Sequence, residues 1–97
     1  SINSGTYAFN PTIGSNLVKY VFEPSDNLTY TLIKNDINFA INSLSPDLQL
    51  YGDIQLSRTS DRKGLIVSFT VGSPTYSENV VLLVTDSNVI NMSYVNV

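Results

Sequence analysis

Apolar residues recur at every second position along most of this chain, which is the period of a β-strand and not of a helix. Leu28, Tyr30 and Leu32 alternate with Thr29 and Thr31; after Lys34 and Asn35 the alternation resumes as Ile37, Phe39 and Ile41 against Asn38, Ala40 and Asn42. That pattern predicts a hairpin. Leu48, Leu50, Ile54 and Leu56 share one parity, and Gly52 between them marks a bulge or bend. The polar run 60–64, closed by Gly64, predicts a turn into a return strand carrying Leu65, Val67, Phe69 and Val71. Residues 80–84 are apolar on both parities and predict a central strand covered on both faces. Residues 17–22, interrupted only by Lys19, and residues 89–97, after the turn at Asp86, Ser87 and Asn88, complete the set. About seven strands at roughly ten-residue spacing, with no 3.6-residue period, predict an all-β fold: an antiparallel, immunoglobulin-like two-sheet sandwich, with a small barrel as the alternative. Phe39, Phe69 and Leu82 are the expected core anchors.

Ahead of these strands, Gly5, Tyr7, Phe9, Pro11 and Ile13 recur at every second place, and Gly14, Ser15 and Asn16 follow as a flexible break. The expected organisation is an N-terminal donor-strand extension over residues 1–14 and a β-sandwich domain over residues 15–97. A chain of 97 residues has room for only one core.

Composition strengthens the β reading. Val, Ile, Thr, Tyr and Phe supply 36 residues and Ala only two, so the chain is rich in side chains that fit a pleated surface and poor in the best helix former. Ser, Thr and Asn add up to 32 against 13 charged residues, a low-charge surface of hydroxyls and amides that points to the outside of a cell or particle. The absence of His and Cys removes zinc sites of the usual kind, thiolate nucleophiles, the Ser-His-Asp triad and disulfides. A net charge of -3 argues against nucleic acid as a partner. No apolar run reaches the length of a membrane span, and the first residues are not of signal-peptide type, so an exported chain is expected in mature form.

Candidate chemistry is sparse, and no cofactor or metal is expected. The eight acids are scattered, mostly at turns. A calcium loop from Asp26 and Asn27 competes with an ordinary turn reading, and a sugar platform of tyrosines is opposed by the apolar parity of Tyr7, Tyr30 and Tyr94 and by the absence of Trp. Two glycosylation sequons stand at Asn27 and Asn91, a number chance alone would give in so Asn-rich a chain; both asparagines are expected to point away from the core, open to N-linked glycans. Lys19 shares parity with Leu17 and Val21. A buried ammonium there suggests a covalent cross-link to an Asn, of the kind found in surface-fibre domains; the plainer reading is an edge-strand Lys reaching water.

With a detached, one-faced strand ahead of a β-rich body, the chain resembles subunits of extracellular filaments that assemble by strand donation, such as chaperone-usher pilins and the thread filaments of thermoacidophilic archaea. The resemblance covers residues 5–13 and the β-rich remainder in architecture and composition, and departs from many bacterial pilins in lacking a cysteine pair. It implies a non-enzymatic structural subunit of a cell-surface pilus or thread, serving adhesion or attachment, whose partners are copies of itself. Gly5, Tyr7, Phe9, Pro11 and Ile13 are then the donor-strand residues. The alternatives are a module of a virion, phage tail fibre or baseplate, and a carbohydrate-binding adhesin domain.

Overall fold

Residues 14–93 are described by a computed structural model, in which a 3-10 turn (Ser15–Tyr20) and one helix, α1 (Asn27–Leu44), precede four strands, β1 (Gln49–Arg58), β2 (Leu65–Ser73), β3 (Tyr76–Val84) and β4 (Val89–Asn91). The strands form one antiparallel sheet in chain order. Among the described residues the layer facing that sheet is helical, so the two-sheet, seven-strand sandwich is overturned.

The largest departure is α1, where the sequence pattern predicted a hairpin. Asp26 caps the helix: its backbone is extended, and its Oδ1 accepts the amide of Thr29 at 2.9 Å. From there Thr29, Ile33, Ile37 and Ile41 recur every fourth residue and form the buried face. Ser45 closes the helix with its amide on the Ile41 carbonyl, and Pro46 prevents continuation. The alternation arose because Leu28, Leu32 and Phe39 lie on the opposite, exposed side of the same helix. Two apolar stripes nearly half a turn apart, read linearly, imitate a period of two. Phe39 is therefore a surface residue and not a core anchor.

Residues 17–22 also fail as a strand. Leu17, Tyr20 and Val21, spaced by three and one, turn one side of the 3-10 segment into the core. Gly14 is no loose break. It is buried against β4, and an added Cβ there would stand 2.8 Å from Val89 Cγ1.

The sheet is closer to expectation. β1 and β2 form the predicted hairpin around residues 60–64, and their register slips between Tyr51 and Gln55, where Gly52 has φ +78. Gly52 thus supplies the predicted irregularity. Leu65 faces Val84, Val67 faces Leu82 and Phe69 faces Val80 across β2 and β3. These pairs, with Ile54 and Val71, meet Leu17, Tyr20, Val21, Ile33, Ile37 and Ile41 in one core. β3 is an interior strand as expected, yet only its Val80, Leu82 and Val84 side is buried; Val81 and Leu83 are half-buried on the open face. At the tight β2–β3 turn, Gly72 is required by contact alone, since a Cβ would fall 2.3 Å from the Tyr76 carbonyl oxygen. β4 is much shorter than the predicted strand over 89–97. Its ladder is closed by Ser93, whose Oγ accepts the Val81 amide at 2.9 Å in place of a backbone carbonyl, and residues 94–97 lie outside the described chain.

Candidate functional site

Two polar clusters fasten the helical layer. Tyr20 is positioned by the 3-10 segment so that its hydroxyl donates to Asp36 Oδ2 on α1 at 2.7 Å, and Lys19 Nζ lies 3.7 Å from the same oxygen and 5.2 Å from the Tyr20 ring centre. Burial, followed by the Asp36 carboxylate, pushes the Tyr20 hydroxyl up to about 12. The second cluster is Arg58, at the end of β1. Its guanidinium donates to the carbonyls of Val21 and Glu23 and, at 3.4 Å, to Ser25 Oγ, drawing the loop before α1 onto the sheet. Of these residues the sequence pattern singled out only Lys19, and in another role; Tyr20, three residues after Leu17, carries the spacing that a helical reading would have used.

Four other acids have local duties. Asp26 caps α1, and Asp61 accepts the Thr59 hydroxyl at 2.6 Å and the Lys63 amide at 3.0 Å in the β1–β2 turn. Asp53 lies 3.6 Å from Lys34, and Glu78 accepts the Tyr76 hydroxyl. A cleft lined by Phe22, Thr59, Asp61, Lys63, Leu83 and Asp86 brings two acids to one surface, but Asp61 is engaged by its own turn. No group of three His, Cys, Asp or Glu able to hold a metal occurs among the described residues.

The capping bonds hold the carboxyls of Asp26 and Asp61 below their usual 3.8, through the Thr29 amide and the Thr59 hydroxyl respectively. A depressed carboxyl pKa stabilises the fold above the ordinary carboxylate range, and that contribution is lost as pH falls through the lowered value. The raised Tyr20 pKa acts in the other direction: its contribution is intact below pH 10 and lost as pH rises toward 12. Urea titrations across pH are expected to show both flanks. Asp26→Asn, which preserves the cap, should flatten the acid flank, and Tyr20→Phe the alkaline one. An unchanged acid flank in Asp26→Asn would remove the cap from the account.

Of the residues singled out by sequence, Gly5, Tyr7, Phe9, Pro11 and Ile13 lie outside the described residues. Lys19 is exposed on the 3-10 segment beside Asp36, so the burial that suggested a cross-link is not found. Asn27 is exposed in the first turn of α1, whereas Thr29, the hydroxyl residue of its sequon, is buried. The Asn91 expectation is corrected. The register pairs Asn91 with Leu82 and Ile90 with Leu83, which turns Asn91 toward the core side and leaves Ile90 and Met92 exposed. Asn91 Oδ1 accepts the Ser93 amide at 2.9 Å. Tyr30 packs against the core, while Tyr51 and Tyr76 border a shallow cleft with Thr70 and Pro74.

What the described chain offers, then, is surface for association. β1 and β4 are the sheet edges, with the bulge at Gly52 and the Asp53–Lys34 pair on the first and a strand of three residues on the second. The outer sheet face shows Val81, Leu83, Ile90 and Met92 beside polar Ser68, Thr70 and Asn79. Among the described residues no helix is long and apolar enough to cross a membrane. No family model matches the chain, and neither does any curated protein or solved structure.

Proposed function

We propose that the protein is a non-enzymatic structural subunit of an extracellular filament, in which residues 5–13 of one copy add as a strand to the sheet of the next. The observation that carries this reading is the unequal condition of the two sheet edges. β1 is bulged at Gly52, bears the Asp53–Lys34 pair and packs along α1, all features that discourage a further strand. β4 pairs over only three residues, with exposed Ile90 and Met92. In place of a neighbouring sandwich, the acceptor in this reading is the β4 edge, along which no described residue pairs. Main-chain pairing would supply affinity, and the alternation of Tyr7, Phe9, Pro11 and Ile13 would fix register. Donor and acceptor are different surfaces, so the contact is heterologous and propagates. The low-charge, hydroxyl- and amide-rich composition supports an extracellular setting, with exposed Asn27 as the glycan site.

Electron microscopy of the full chain and of a deletion of residues 1–13 tests this. The full chain should form filaments, the truncated chain should not, and a peptide of residues 1–13 should raise the melting temperature of the truncated chain. Normal filaments from the truncated protein, or residues 5–13 paired within their own subunit, would overturn it.

A further inference from the structure

Helix α1 carries an apolar stripe that the fold does not use. Leu28 is 68% exposed, Leu32 42% and Phe39 75%, although each is a large hydrophobic residue on an 18-residue helix. With Asn35 and Asn42 they follow one another at intervals of four, three, four and three residues. That is the 3.5-residue repeat by which one helix packs its side chains between those of another like itself. The inward stripe, Thr29, Ile33, Ile37 and Ile41, keeps a strict spacing of four and stays with the sheet.

We propose that α1 is a self-association helix: two copies pack α1 against α1 in antiparallel fashion, Leu28 of each against Phe39 of the other, with Leu32 and Asn35 facing one another between them. Charge favours a second copy as the occupant. The chain is acidic overall, but the stripe and its flanking Thr31 and Asn38 are uncharged. Two acids border it: Asp36, held by the Tyr20 hydroxyl and Lys19, and Glu23, which shares a depression with Lys19, Leu28 and Leu32 and in an antiparallel pair lies toward the uncharged end of the partner helix, residues 42–44. Two identical stripes therefore meet without like-charge repulsion, and the antiparallel arrangement also opposes the two helix dipoles. A membrane surface is a poorer fit, because no row of Lys or Arg flanks the stripe to engage lipid headgroups. A seam of five residues a side on a helix of about 27 Å is smaller than the roughly 20–30 residues a side of lasting interfaces. The dimer is accordingly weak and reversible. It does not depend on strand addition by residues 5–13.

Sedimentation velocity over a concentration series, on the full chain, L28K and F39E and on the same three proteins lacking residues 1–13, in which strand addition cannot contribute, provides the test, with circular dichroism to show that all of them keep the fold. Each variant alone should associate roughly tenfold or more weakly than the parent. Mixing the two should restore association, since an antiparallel seam sets the new charges opposite one another at one end and leaves Leu28 against Phe39 at the other. Unchanged association in both variants would overturn the proposal, as would dissociation that mixing does not restore. Binding of the parent to phosphatidylcholine or phosphatidylserine vesicles, abolished in F39E and without self-association, would assign the stripe to a lipid surface and overturn it likewise. Deleting residues 1–13 should leave this association intact, so failure here and failure of the filament reading are separable.

Discussion

Phe69→Ala is expected to destabilise the protein by about 3–5 kcal/mol, a large part of the ~5–15 kcal/mol that holds a domain of this kind together. Phe69 is 2% exposed. It sits on β2, which is hydrogen-bonded to a strand on each side, and it faces Val80 across the sheet. With both neighbouring strands fixed, the backbone cannot close over the lost ring, and the cavity term is added to the transfer term. Phe39→Ala is the matched control. The alternation of the sequence puts the two phenylalanines on equal terms, but Phe39 lies on the outer side of α1, and its truncation should change stability by no more than about 0.5 kcal/mol. Urea denaturation of the two variants decides the matter. A loss below about 1 kcal/mol at Phe69 would contradict the packing described.

The second large effect is expected at Ile33. The alternating pattern passes over this residue and selects its neighbour Leu32 as inward. In the structure Ile33 is 0% exposed, in the centre of the helix–sheet contact. Ile33→Ala should cost about 2–5 kcal/mol, whereas Leu32→Ala should cost less than about 1 kcal/mol. Thermal unfolding of the pair separates a helix from a hairpin over residues 27–44, because the two folds exchange the roles of adjacent positions.

These pairs also locate what could be read from the sequence. The β1–β2 hairpin, its turn and the irregularity at Gly52 were legible, since there one face is apolar, the other polar, and the turn residues agree with both. Phe69 and Leu82 were correctly inward for the same reason. The helix was hidden because Leu28, Leu32 and Phe39 interrupt its polar outer face and imitate a period of two; the cap at Asp26 and the four-residue spacing of Ile33, Ile37 and Ile41 were the signals that counted. At Asn91 parity misled because exposed Ile90 and Met92 outnumber the inward apolar residue Val89, and only the register with Leu82 settles which side is which. The surface stripe of α1 could not be assigned in advance. Nothing local tells which of two apolar faces a sheet will cover.

The placement of α1 ahead of the whole sheet has a consequence for synthesis. Ribosomes deliver Asn27–Leu44 first, yet a segment rich in Asn, Thr and β-branched residues has little helical stability of its own and depends on packing for it. The surface it packs against is made of β2 and β3, which pair with their sequence neighbours and can zip up quickly once emerged. Until residue 84 has cleared the exit tunnel, both apolar stripes of the segment are open to the cytosol or to the export machinery. The nascent chain is thus most in need of a chaperone during the interval between the making of residue 44 and the closing of the β2–β3 hairpin.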